Sequence, residues 1–247
     1  MQCKNGGWAA FDRDNDKEIL TKIPFSDFGE VLDPPSVDVT AHVIEALAPM
    51  REQDSRISGA LNAAIAYTKS EQEDDGSWFG RWGVNYIYGT GAVLPALKAA
   101  GEDMSQDYIK RAIDWIIDRQ NDDGGWGETC ASYMDDSQRG RGISTASQTA
   151  WALMALTAAG QPHLQTSVEK GVNYLSQFQQ DGTWNDKHFT GTGFPGYGVG
   201  SRLSEADQKR RIELLQGNEL GRGYMLNYTM YGHYFPLIAL GRIRQNL

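Results

Sequence analysis

The sequence predicts an all-α fold, an α/α toroid of helical hairpins that is incomplete at its N-terminus. Three observations carry that expectation. Apolar residues recur with helical periodicity along most of the chain, and convincing period-2 alternation does not occur. Helices rich in Gly and Ala alternate with more polar, amphipathic ones. A phrase of Gln, polar residues and Gly-x-Trp closes helix after helix: "QNDDGGWG" at 120–127 is one case, and "QCKNGGW", "QEDDGSW" and "QQDGTW" are the others.

The elements follow in order. The first phrase comes directly after Met1 with no helix ahead of it, so the chain is expected to begin in mid-repeat. Periodicity then predicts helices over Val39–Ala48, Ile57–Gln72, Thr90–Ala100, Gln106–Gln120, Thr145–Ala159, Ser167–Gln179, Ala206–Gln216 and Tyr228–Arg244. Pro236 should kink the last one or mark its start. "GTGAVLPALKAAG" and "STASQTAWALMALTAAG" have the small residues that let helices pack closely in an inner layer, whereas "IKRAIDWIIDRQ" suits an outer layer facing water. Inner and outer helices alternating at a period of roughly 50 to 70 residues read as a toroid. Eight helices do not close a double ring of six hairpins, which agrees with the mid-repeat start.

The recurring phrase has a physical use. Glycine holds the tryptophan at the loop, where it can stack on the Gln amide, and the amide can bond backbone groups at a helix end. On this basis Gln2 and Trp8, Gln72 and Trp78, Gln120 and Trp126, and Gln179 and Trp184 are inter-repeat staples. The simpler alternative is a set of turn glycines, each with a buried aromatic.

Composition excludes several function classes. The 247 residues are enough to bury a real core, and their net charge of −9 argues against nucleic-acid binding. The two cysteines, Cys3 and Cys130, have neither CxxC spacing nor a framework to pair in. No apolar run approaches the length of a membrane span. No metal site is expected: His163, His188 and His233 have no ligand spacing, and the "EDD" and "NDD" triplets fall in the turns of the repeated phrase.

Asp38 and His42 are spaced i, i+4 and share one helix face, either as a surface ion pair or as an Asp that keeps an imidazole protonated. Trp82 and Tyr88 open a small-residue helix in "RWGVNYIYG" and by themselves read as core packing. Tyr228 and Tyr231, at i and i+3, should lie on one face of the last helix.

Taken together, "PFSDFGEVLDPPSVDVTAHV", "DGSWFGRWGVNYIYGTGAV", "STASQTAWALMAL", "TGTGFPGYG" and "YTMYGHYFPLIALGR" are similar to the C-terminal part of the squalene–hopene cyclases, and the Gln/Gly-x-Trp phrases resemble the QW repeats of triterpene cyclases. The resemblance spans essentially the whole chain. It implies an α/α barrel of the terpenoid cyclase and protein prenyltransferase type. That barrel is half of a two-barrel bacterial enzyme that converts squalene to hopene or hopanol without a cofactor. It also implies a peripheral position on the cytoplasmic side of a membrane. The implied partners are squalene, a membrane surface, the upstream half of the cyclase and a homodimer, with no nucleic acid.

The resemblance also assigns roles. His42, with Asp38, would support an upstream acid, and Tyr88 would belong to the hydrogen-bonded network around it. Phe11, Trp82, Phe194, Tyr224, Leu226, Tyr228 and Tyr231 would line a cavity through which carbocations pass, where aromatic faces stabilise charge without trapping it. Phe25 and Phe28 resemble a mobile loop at the substrate entrance.

Three departures qualify it. The acid motif of the family, Asp-x-Asp-Asp, belongs upstream of residue 1, and "DRDNDK" at 12–17 is not a substitute. The chain alone is therefore expected to be inactive. Phe11 stands where relatives carry a tyrosine, and 197–223 resembles an insertion. Two rivals remain: a prenyltransferase β-like subunit, which would need zinc ligands that Cys130 lacks the context to supply, and a non-catalytic toroid scaffold.

Overall fold

The computed structural model describes residues 1–17, 32–133, 135–192 and 225–245. Among these residues seven α-helices form: α1 (Val37–Leu47), α2 (Ser55–Ser70), α3 (Tyr86–Ala99), α4 (Asp107–Asp118), α5 (Ala146–Ala159), α6 (Gln165–Phe178) and α7 (Tyr231–Gln245). Two-residue strands β1 (Gly191–Thr192) and β2 (Met225–Leu226) pair antiparallel, with Gly191 opposite Leu226. The helix expected over Ala206–Gln216 and the insertion-like segment 197–223 lie outside the described residues.

Two layers follow from composition. In α3 every residue from Tyr86 to Leu97 is buried, and in α5 every residue from Ala146 to Leu156. Helix α3 packs on α1 and α5, and α5 packs on α7, so α1, α3, α5 and α7 form the inner layer. Small residues make this possible: a Cβ on Gly91 would sit 2.9 Å from the Cβ of Trp151. Helices α2, α4 and α6 bury a single face, such as Ile109, Ala112, Ile113, Trp115 and Ile116 on α4, and turn their polar face outward. This alternation is that of an α/α toroid of the terpenoid cyclase type.

Local chemistry sets several helix ends. Asp54 caps α2 by accepting from Arg56 N–H, and Thr145 caps α5 by accepting from Gln148 N–H. Helix α5 stops at Gly160 in the left-handed region (φ 62°). Two boundaries differ from expectation by more than two residues. Helix α3 starts at Tyr86 rather than Thr90, because a distant carboxylate caps it (below). Helix α7 starts at Tyr231 and runs through Pro236, which neither begins nor ends it.

The Trp side chains of the repeated loops tie each loop to its own helix, and the Gln side chains bond neighbouring repeats together. Trp78, Trp126 and Trp184 donate their indole N–H to Thr68, Ile116 and Leu175 carbonyls in the helix just before each loop, at 2.8, 2.7 and 2.7 Å. Gln72 donates to Gly76 O in its own loop and to Tyr108 O on α4. Gln120 does the same to Gly124 O and Ser167 O on α6, and Gln2 to Gly6 O and Ala60 O on α2. The acceptors are thus a loop carbonyl and a carbonyl inside the next outer helix, not the orphan groups of a helix end. Gly6, Gly76 and Gly124 have φ of 95°, 94° and 87°, and a Cβ on each would fall within 2.8 Å of a backbone oxygen on that same outer helix. Only glycine permits both the turn and the approach.

Candidate active site

At the N-terminal ends of the inner helices the structure gathers aromatic rings and a buried carboxylate. Asp38, one residue into α1, is fully buried, and its Oδ2 accepts the Trp82 backbone N–H at 2.8 Å. His42, one turn later and exposed, reaches α3 instead, with Nε2 3.2 Å from the Tyr88 hydroxyl. The Asp38–His42 pair expected from i, i+4 spacing is not made. The reason is that a loop N–H buried beside α1 needs an acceptor, and Asp38 supplies it.

From Tyr88 the rings continue without a break. Its ring meets Trp151 edge-on at 4.7 Å between centroids, and Trp151 meets Tyr231 at 5.8 Å and Phe235 at 5.3 Å. Tyr231 lies 4.7 Å from Tyr228. Tyr228 precedes α7 rather than lying in it. A turn in which Tyr231 N–H donates to Tyr228 O keeps the two rings together all the same. On the other side, Trp82 meets Phe11 edge-on at 5.8 Å, although Phe11 is 71% exposed. Asp33 fixes that segment by accepting from the N–H groups of Ala10, Phe11 and Asp12. Leu226 is placed by β2, its carbonyl accepting from Thr190 N–H at 3.1 Å. Phe25, Phe28, Phe194 and Tyr224 lie outside the described residues.

A cleft of about 180 Å³ opens between α1, α3, α5 and α7, with Tyr88, Trp151 and Phe235 among its lining. His42, Glu45 and Arg242 also line it, and Glu45 and Arg242 form an ion pair at 2.8 Å. The volume is below that of pockets that enclose drug-sized ligands. Burial raises the Tyr88 hydroxyl well above its ordinary range, with the Asp38 charge adding to it, and burial likewise raises Tyr231. Both phenols therefore stay neutral at any physiological pH. The indole N–H groups of Trp82 and Trp151 are buried without a protein acceptor among the described residues. The lining thus combines the neutral rings of Tyr88, Trp151 and Phe235 with one ion pair, Glu45–Arg242.

Sequence reasoning missed several residues that build this arrangement. Trp151 and Phe235 were legible in principle, since Phe235 follows Tyr231 at i+4. Glu128 was not: its Oε2 accepts from Asn85 and Ile87 N–H at the start of α3, at 3.2 and 2.8 Å. Asp186 does the same for α5, accepting from Ala146 and Ser147 N–H. Among the described residues no group of three His, Cys, Asp or Glu could hold a metal ion, and no helix is long and apolar enough to cross a membrane.

Comparison with known proteins matches the chain to one family. A family model described as the squalene-hopene cyclase C-terminal domain matches residues 1–199. The squalene–hopene cyclase of Alicyclobacillus acidocaldarius is 49% identical over 246 residues, covering 99% of this chain and 34% of that protein. The dammaradiene synthase of Dryopteris crassirhizoma is 38% identical, covering 100% of this chain and 35% of that protein. Among solved structures, the type II terpene cyclase MstE from Scytonema, in complex with merosterolic acid A, superposes with a TM-score of 0.64. It is 19% identical and covers 99% of this chain and 63% of that one, a likeness of fold. The chain spans about a third of the length of these two curated relatives.

Proposed function

The chain belongs to the squalene-hopene cyclase C-terminal domain family, and from that premise we propose that it is the cation-lining third of a triterpene cyclase that converts squalene to hopene or hopanol. In such a reaction an acid adds a proton to a terminal alkene. Each new cation is attacked by the next alkene, and the last one loses a proton or captures water. No redox step occurs and no cofactor is needed.

The observation that carries this proposal is the unbroken run of neutral aromatic rings from Tyr88 through Trp151 to Tyr231 and Tyr228. A carbocation gains about 0.5 to 2 kcal/mol from each face it meets, more where water is excluded. A phenolate would instead capture it; a phenol is neutral at physiological pH as it stands, and burial moves Tyr88 and Tyr231 further from ionising. The carboxylates nearby are engaged elsewhere: one Asp38 oxygen accepts a backbone N–H, Glu128 caps α3, and Glu45, which lines the cleft, is paired with Arg242.

In this proposal the acid comes from an Asp-x-Asp-Asp segment in the rest of the enzyme, and the chain alone does not turn over. His42 would orient that acid. Neutral with Nε2 bare, it accepts from the Tyr88 O–H; protonated, it donates to Tyr88 and has Nδ1–H left to hold a carboxylate. A cleft of about 180 Å³ does not enclose a thirty-carbon chain, so the remaining wall of the cavity would come from the same upstream part. The proposal includes a peripheral position on the cytoplasmic face of a bacterial membrane. Apolar surface for such a contact is supplied by exposed Met230 and Leu237, at 61% and 59%.

The test is a complete enzyme in which this chain replaces the matched third of the Alicyclobacillus acidocaldarius cyclase. Pentacyclic product from squalene is the expected result. A folded chimera that leaves squalene unchanged would contradict the proposal.

A further inference from the structure

Trp82 lies in a loop, residues 80–85, that leads into α3 and rests on the Tyr88 ring. A Cβ on Gly80 would fall 2.9 Å from Tyr88 Cδ1, and one on Gly83 would fall 2.5 Å from both Cγ and Cδ1 of the same ring. Glycine at both positions lets the loop backbone rest on the phenyl face. What presses it there comes from another repeat. Tyr133 ends a short 3-10 turn (Cys130–Tyr133), and its hydroxyl is within bonding distance of two carbonyls of this loop, Gly80 O at 3.0 Å and Gly83 O at 2.9 Å. Ser132, beside it, accepts from the Asn85 side-chain amide, whose oxygen accepts from Gly80 N–H. The Tyr133 ring meets Phe79 edge-on at 5.6 Å, so the phenol is itself held in place.

We propose that Tyr133 is a positioning residue for the cyclisation, clamping the glycine loop between its hydroxyl and the Tyr88 ring and so setting where Trp82 and Tyr88 stand. The inference rests on the cyclase assignment for its chemistry and on the loop geometry alone for the clamp. A phenol has one proton for two carbonyls, and it spans the loop on either side of Trp82. Removing it frees both carbonyls while Asp38 still holds the Trp82 N–H. The 190–192 segment also still holds the loop, through Val84 N–H to Thr190 O and through Thr192 to the Trp82 and Arg81 carbonyls. The loop would then relax about these bonds on the side that Tyr133 had covered. Trp82 would lose its placement beside the reacting cation and Tyr88 its packing under the loop.

Two measurements test this. In the chain itself, Tyr133→Phe should speed hydrogen exchange of the Trp82 and Val84 amides at least about tenfold and leave the Trp126 amide unchanged. Unchanged exchange at Trp82 overturns the clamp whatever the chain's activity. In the chimeric cyclase, Tyr133→Phe should lower kcat, leave the KM for squalene unaltered and raise the share of prematurely terminated products about two- to tenfold. Replacement of Tyr133 by p-aminophenylalanine, which carries two N–H groups for the two carbonyls, should restore the original product pattern. If Tyr133→Phe slows turnover with products unchanged, or the aminophenylalanine enzyme keeps the altered pattern, Tyr133 is a packing residue and the proposal fails. A wild-type chimera without product counts against the cyclase assignment, and the exchange result then decides the clamp by itself.

Discussion

The Nε2 of His42 on α1 lies 3.2 Å from the hydroxyl of Tyr88 on α3, and the Tyr88 ring in turn meets Trp151 on α5 at 4.7 Å. One tyrosine thus joins a titratable group to the aromatic run, and His42, Tyr88 and Trp151 all line the cleft. Polar and π functions are separated along a single side chain. The separation predicts that substitutions at the two ends fail differently.

At the polar end, His42→Ala in the chimeric enzyme is expected to lower turnover and leave the product distribution largely unchanged. Its proposed task precedes the first cation. Steady-state rates and gas chromatography of the same samples check both halves. New partially cyclised products from His42→Ala would move the histidine from the acid to the cation path.

The repeated loops make a prediction about stability. Gly124 has φ 87°, and a Cβ there would lie 2.6 Å from Lys170 O, whereas Gly182 has φ 80° with nothing within 4 Å. Gly182→Ala should cost only the left-handed backbone, about 1 kcal/mol, and Gly124→Ala should cost roughly 3 kcal/mol or more because α6 must also shift. Urea unfolding of the two variants compares them directly. Equal losses would mean that the close approach to α6 adds nothing to the cost.

Glu128 predicts a pH dependence. Burial raises its carboxyl above the ordinary glutamate value, against the lowering effect of hydrogen bonds from the start of α3. The fold therefore favours the protonated form relative to the unfolded chain. That contribution is fully present below about pH 4.3 and is lost as pH rises through the raised folded value. The melting temperature of the wild type relative to Glu128→Gln should fall across that window. A constant difference between the two proteins would show that Glu128 ionises in the fold as readily as in the unfolded chain.

Much of this was legible in the sequence where the cause is local. The alternation of small-residue and amphipathic helices gave the two layers, and the Gln/Gly-x-Trp loops marked each repeat. Tyr228 and Tyr231 were brought together, although by a turn ahead of α7 rather than within it. What was not legible has distant causes. Helix α3 begins four residues early because Glu128, 41 positions from Ile87, caps it. Asp38 passes over its i+4 neighbour for a backbone N–H 44 positions away. Spacing along a helix gives which side chains are near, but it does not count the buried backbone groups that compete for them.

The isolated chain bears on the division of labour. Incubated with squalene in detergent it should form no hopene above a denatured control, since the proposed proton donor lies elsewhere in the enzyme. Hopene from the purified chain would require an acid among its own residues and would reassign His42 and Asp38.

The most direct test of the central claim, that the aromatic run guides cations, is product analysis of the chimeric enzyme carrying Tyr231→Ala. Tyr231 touches Trp151, Phe235 and Tyr228 and is kept neutral by burial. Loss of a partner worth about 0.5 to 2 kcal/mol should shift branching roughly 2- to 30-fold towards partially cyclised products. A slower enzyme that still releases one unaltered product would contradict the claim and leave Tyr231 as packing.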